Sequence, residues 1–224
     1  MITLRHIIVG LMCLALSQNT YAQTMPKVVD EALSWAEFET DCAMSFSLRF
    51  KWKLLEAVTW RYEVADKTWR ELEGDSFSLP KAARKKLKTW KSNESKPCGL
   101  IYYDFREHMK NVHMTKTEGY NTHYSFNMAK APKRSHASVD TNITIYAPDG
   151  AIPILTQYRI TAIEAFKPSS FVKLELFNFD NRFEAVFPDY PPLLTNVVWK
   201  AKGSRGLRSV NEDFKIEFCD FEKL

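Results

Sequence analysis

Between Phe46 and Val64 nearly every even-numbered position is apolar, running Phe46, Leu48, Phe50, Trp52, Leu54, Val58, Trp60, Tyr62 and Val64, while the odd positions are mostly Ser, Arg, Lys, Thr and Glu. Side chains alternate across a strand with a period of two, so a run this long commits the chain to a sheet with one buried and one wet face. The parity survives Leu55-Glu56-Ala57, and no Gly, Pro, Asn or Asp occurs from Ala43 to Ala65 to make a tight turn. A two-residue hairpin loop would reverse the parity. The stretch is therefore read as two strands joined by three residues, with one long curved strand as the alternative.

The remaining elements follow from local signals. Pro26 followed by Val28, Val29, Ala32, Leu33 and Ala36 predicts an amino-terminal amphipathic helix ending near Glu39. Ser78-Leu79-Pro80 opens a second, with Ser78 as its cap, Pro80 in the first turn and Ala83, Leu87 and Trp90 as its apolar stripe. Strands are expected at 69–73, 100–105, 120–128, 171–179, 194–201 and 214–221. The turn Ala147-Pro148-Asp149-Gly150 would set Ile145 opposite Ile152 and Ile143 opposite Ile154. Eight or nine strands, no strand-helix repeat and no internal repeat define a mainly β chain. The expected form is an antiparallel sandwich or barrel-like sheet with two peripheral helices.

The first 22 residues have the order of an export signal: a basic start with Arg5 and His6, an apolar run from Ile7 to Leu16, and a polar stretch ending Thr20-Tyr21-Ala22. Cleavage after Ala22 would leave residues 23–224 as a single strand-rich domain. The apolar run has ten residues, whereas a spanning helix needs about 20, so no transmembrane span is expected after cleavage. Cys13 lies inside that run behind Gly10-Leu11-Met12, which does not fit a lipid-modified terminus. The expected location is the periplasm or the medium. The mature chain carries 30 basic against 27 acidic side chains, too even a balance to argue for nucleic acid. Its cysteines are Cys42, Cys98 and Cys219. In an oxidising compartment a Cys42–Cys98 bridge is expected, with Cys219 a strand thiol; three free thiols are the alternative.

Several residue groups invite a chemical reading. His108-Met109, His113-Met114, His123 and Met128 combine imidazole and thioether, a set suited to copper. Positions 108 and 113 nevertheless face opposite sides of a strand and stand about 140° apart on a helix, so no metal is assigned. Ser78 and Lys81 match a Ser-x-x-Lys acylation motif, but its usual companion motifs are absent and a helix cap explains both residues. No hydrolase elbow, zinc helix, phosphate loop or dinucleotide fingerprint occurs. No catalytic residue and no cofactor is therefore assigned, which leaves an enzyme of unrecognised type as a third reading. Lys81, Arg84, Lys85, Lys86, Lys88 and Lys91 give the second helix a basic face, read as solvated.

Two readings of function remain in front. One is an exported, non-catalytic binding or interaction module of the bacterial cell envelope, contacting an envelope protein, with the stiff Phe187-Pro188-Asp189-Tyr190-Pro191-Pro192 segment as a contact loop or an ordered crossover. The other is a barrel-type carrier of a lipid or other apolar molecule, lined by Trp52, Trp60 and Tyr62 on the buried parity; the same three residues would fill the core of a sandwich.

Overall fold

The computed structural model describes residues 25–34, 43–92, 97, 105, 109–128, 139–169, 171–188 and 190–224. Two helices occur among them, α1 (Lys27–Leu33) and α2 (Lys81–Lys91). The strands are β1 (Met44–Trp52), β2 (Val58–Glu63), β3 (Thr68–Glu73), β4 (Met109–Glu118), β5 (Asn121–Met128), β6 (Val139–Tyr146), β7 (Ile154–Ala162), β8 (Phe166–Ser169), β9 (Val172–Glu184), β10 (Leu193–Arg205) and β11 (Arg208–Lys223). All join one antiparallel sheet in the order β3-β2-β1-β11-β10-β9-β7-β6-β5-β4, with β8 pairing the far end of β9. The expected mainly β, antiparallel class with two helices is the one found. The sheet is single and unclosed, and β3 and β4 are its edges. The proposed signal, Cys42 and Cys98 lie outside the described residues, as does the expected strand at 100–105 apart from Phe105.

The inner face is assembled by register. Leu48 lies opposite Phe218, Phe50 opposite Ile216 and Trp52 opposite Phe214. Across the other edge of β1, Phe46 meets Tyr62, Leu48 meets Trp60 and Phe50 meets Val58. The alternation seen in the sequence thus becomes one continuous apolar row per pair of residues. The same parity runs on through Val197 and Ala201 of β10, Phe183 of β9, Tyr158 of β7 and Ile143 of β6, all buried. Helix α1 covers the β6–β7 part of this face with Val29, Ala32 and Leu33, none of which reaches solvent. Helix α2 covers the β2–β1–β11 part with Ala83, Leu87 and Trp90, whose ring lies 6.1 Å from that of Phe218.

Three local expectations need correction. The connection between β1 and β2 is residues 53–57, not three residues, and Leu54 is 98% exposed rather than buried. An odd loop length keeps parity, so the pattern alone could not separate three from five. In place of a glycine, Lys53 takes a left-handed φ of 52° and is held by its N–H donating to Asp213 O at 2.9 Å. Ser78 does not cap α2: Pro80 holds the cap position, and the Ser78 hydroxyl donates to Asp75 O at 2.6 Å. The β6–β7 connection runs from 147 to 153, so Ile145 faces Leu155 and Ile143 faces Tyr158. Pro148 and Pro153 bracket this loop, and neither has an N–H to give to a ladder.

At the β9–β10 pairing the register slips between Lys202 and Gly203. The slip brings the Lys173 carbonyl so close to Gly203 that an added Cβ would collide with the backbone of Lys173 and Leu174 on β9. We predict that Gly203→Ala costs about 1–3 kcal/mol, lowering the melting temperature by about 2–4 °C per kcal/mol. Gly206→Asn, at an open turn with a φ of 58° that Asn tolerates, should melt with the wild type. Equal melting of Gly203→Ala and the wild type in scanning calorimetry would show that the slip absorbs a side chain.

Candidate ligand-binding face

Aromatic rings populate the inner face strand after strand. Trp69 on β3 contacts Tyr62 on β2, with centroids 5.2 Å apart, and Tyr62 contacts Phe46 on β1 at 5.4 Å. Further along the strands Trp52 stacks on Phe214 at 6.0 Å with planes 5° apart, and Phe214 stacks on Trp199 at 6.1 Å. Trp199 on β10 receives the edges of Phe177 and Phe179 from β9, at 5.3 and 5.5 Å. Phe179 continues to Tyr158 at 6.0 Å, and Tyr158 is stacked against Phe105 at 4.0 Å.

The residues expected to line a carrier cavity are packed. Trp52 and Tyr62 are each 4% exposed, and Trp60 is part-buried beneath the Lys91 ammonium, which sits 2.8 Å from its ring centroid. The packing loosens elsewhere. Phe177, Phe179 and Trp199 are only part-buried, although Val197, Ala201, Asn181 and Phe214 around them are buried. This patch lies at the middle of the sheet, where a strand pair would ordinarily be most completely covered. It falls between the part of the face under α2 and the part under α1.

The same patch holds polar groups without partners. Asn181 has no exposure and points inward between Tyr158 and Val197, and among the described residues neither its carbonyl oxygen nor its amide nitrogen has a hydrogen-bond partner. The indole N–H of Trp199, diagonally across the β9–β10 ladder, is likewise unpartnered. An unmet buried polar group costs about 1–3 kcal/mol. Sequence reasoning passed over this patch, yet a signal was present: the inward parity of β9 reads Phe177, Phe179, Asn181, Phe183, an amide interrupting an aromatic row.

Helix α2 contributes cations rather than a purely solvated face. Lys81, Arg84, Lys85 and Lys88 are exposed, but Lys86 and Lys91 turn inward. Lys86 pairs with Glu212 at 2.9 Å and lies 5.6 Å from the Trp199 centroid. Burial pushes the Lys91 ammonium down to about 8, against the upward pull of the Glu71 carboxylate. Trp60 offsets part of the lost hydration through its ring face.

The other chemical candidates are pulled apart. His113 and His123 lie on the outer face, where His113 Nε2 meets Ser125 Oγ at 2.8 Å and His123 Nδ1 meets Thr144 Oγ1 at 3.0 Å. Met109 and Met128 pair on the opposite parity, so thioethers and imidazoles are on different faces; His108 is outside the described residues. Among the described residues no group of three His, Cys, Asp or Glu is placed to hold a metal. Ser78 bonds Asp75 O rather than Lys81. Burial and the neighbouring Asp220 push the Cys219 thiol up to about 11, so it is protonated and a poor nucleophile at neutral pH. No disulfide occurs among the described residues, and no described helix is long and apolar enough to cross a membrane.

A second concavity lies at the end of the sheet where β6 turns into β7 and β9 into β10. This cleft of about 280 Å³ is lined chiefly by Tyr146, Pro148, Ile152, Phe187, Tyr190 and Pro192. Phe187, Pro188, Tyr190 and Pro192 are thus part of one wall of a cleft, with the Lys223 ammonium 4.5 Å from the Phe187 ring. Compared with known proteins, the chain matches no family model, no curated protein and no solved structure.

The Lys91 pKa lies below its unfolded value of 10.5. The unfolded chain therefore holds more protons between about pH 8 and 10.5, and this group makes stability rise with pH across that window. Relative to Lys91→Met, which keeps the stem over Trp60, the wild type should gain melting temperature as pH is raised from 8 to 10. A constant offset between the two proteins would mean that the ammonium is as well solvated folded as unfolded.

Proposed function

We propose that this protein is an exported, non-catalytic binding protein whose ligand is a single amphiphilic molecule. The ligand's apolar body lies on Phe177, Phe179 and Trp199, and its polar group meets Asn181 once the part-open rings beside that fully buried amide turn aside. The observation that carries the reading is the fully buried, unpartnered amide of Asn181 beside a part-open aromatic patch. Rings supply apolar contact without fixing the ligand's chemistry, whereas an amide offers both a donor and an acceptor and so selects a head group able to use both. Lys86 at the margin of the patch already pairs with Glu212 at 2.9 Å, so it does not set the sign of the ligand's charge. The export signal in the sequence, outside the described residues, supports a place beyond the inner membrane. A protein contact through the cleft at Phe187 and Tyr190 is the second reading, favoured by its prolines and aromatic walls.

Native mass spectrometry of protein purified from the exported fraction of its host tests both. A monomer carrying a removable mass of a few hundred daltons is expected; a bare chain in complex with another envelope protein would favour the cleft. Titration with a dansyl-labelled fatty acid then locates the site. Asn181→Leu removes an unmet polar group, so it should raise stability by about 1–2 kcal/mol while weakening the probe several-fold. Phe177→Ser should weaken it roughly tenfold through lost apolar contact. Unchanged probe affinity in both variants would place the ligand elsewhere, and Asn181→Leu melting below the wild type would show that the amide has a structural partner.

A further inference from the structure

Residues 208–213 of β11 run on past the end of β1, whose last pair is Trp52 with Phe214, and there β11 pairs with β10 alone. On its other side β10 pairs with β9 out to Arg205 opposite Val172, and β8 adds Ser169 opposite Val172. Strands β8 to β11 therefore form a tongue that reaches on the order of 20 Å beyond β1, at the usual rise per residue. Its apex consists of two turns tied together by the Gly206 N–H donating to Phe171 O at 2.7 Å. Each turn ends in a large apolar side chain held away from the protein: Leu207 is fully exposed and Phe171 is 78% exposed.

Behind these two side chains comes a belt of cations. Lys173, Lys202, Arg205 and Arg208 are exposed, and none is in an ion pair among the described residues. No acidic residue occurs from 165 to 174 or from 201 to 211. Single exposed apolar residues are ordinary on a protein surface. Here, though, the two stand together at the point of a projecting element, with charge of one sign immediately behind them. That layering matches the depth profile of a bilayer interface, with apolar groups at the acyl boundary and cations level with anionic head groups. It fits a flat protein partner poorly, since two side chains at an apex cannot bury the area a specific protein interface needs.

We infer that this tongue is a membrane-docking element: Phe171 and Leu207 insert into an anionic bilayer surface while Lys173, Lys202, Arg205 and Arg208 engage its phosphates. Strands β9 and β10 carry both the tongue and the Phe177–Trp199 patch, so docking would bring the proposed binding face close to the lipid. The inference stands apart from the ligand reading, because vesicles alone test it. Mature protein should co-sediment with phosphatidylcholine vesicles containing phosphatidylglycerol, and should be released by salt. Arg205→Gln combined with Arg208→Gln should lower partitioning about 25-fold, at about fivefold per cation. Phe171→Ser with Leu207→Ser should lower it roughly tenfold or more. Both variants change exposed residues and should melt with the wild type. Wild-type protein that stays in the supernatant overturns the inference and leaves the basic apex as a contact for an acidic protein. Equal sedimentation of wild type and variants overturns it as well, by removing the tongue from whatever contact is made.

Discussion

The sheet depends on one non-local ladder. Strands β3, β2 and β1 are made within the first third of the chain and form a hairpin-linked group, while β11 to β4 form another. Only β1 and β11 join them, through eight paired residues from Met44 with Lys223 to Trp52 with Phe214. Without that ladder Phe46, Phe50 and Trp52 would lose Phe214, Ile216 and Phe218 as neighbours, and α2 would have half a floor to rest on. The outer side of the join is bolted by Arg61, a nearly buried guanidinium on β2. It donates to Asp220 O at 2.5 Å and pairs with Glu222 at 2.7 Å, so a cation on one side of β1 is satisfied by groups of β11 on the other. Pairing of residues so far apart in sequence carries a high loop-closure entropy.

With the ladder in place, the inner face has more aromatic surface than two short helices can cover. Where α2 lies, Phe46, Phe50 and Phe218 are buried and lysines add to the cover, Lys91 resting on Trp60 and Lys86 on Trp199 and Phe214. Where α1 lies, Val29 and Leu33 reach no solvent. Between them Trp199 and its two phenylalanine neighbours are left part-open. A fold selected only for stability would fill the Asn181 position with an apolar side chain, because an amide there forfeits hydration and gains no bond. Its presence on an otherwise apolar parity is the observation on which the proposed binding reading rests.

The two ends of the sheet also differ in kind. At one end the β6–β7 and β9–β10 connections fold against each other and wall a proline-rich cleft. At the other, strands of unequal length leave a basic tongue with apolar side chains at its apex. Unequal strand length produces this asymmetry: β9, β10 and β11 have 13, 13 and 16 residues, while β1 has 9.

The amino-acid sequence by itself determined the class of the fold and which residues of most strands face inward, because a period of two is a local property that survives any tertiary arrangement. The inward rows Phe46 to Trp52, Val58 to Tyr62 and Phe214 to Phe218 could be read straight from it. It left strand ends, loop lengths and β4 unread: His113, Met114 and the lysines of β4 carry no alternation, since that edge strand is mostly exposed on both faces. Only the tertiary structure decided where the apolar face is left part-open, since cover depends on which helix reaches which strand. It alone set Asn181 beside Trp199, placed Lys86 and Lys91 against rings rather than water, and separated the histidines from the methionines. The Asn181–Trp199 placement depends on the β9–β10 register, and a one-residue shift would turn one of the two to the other face.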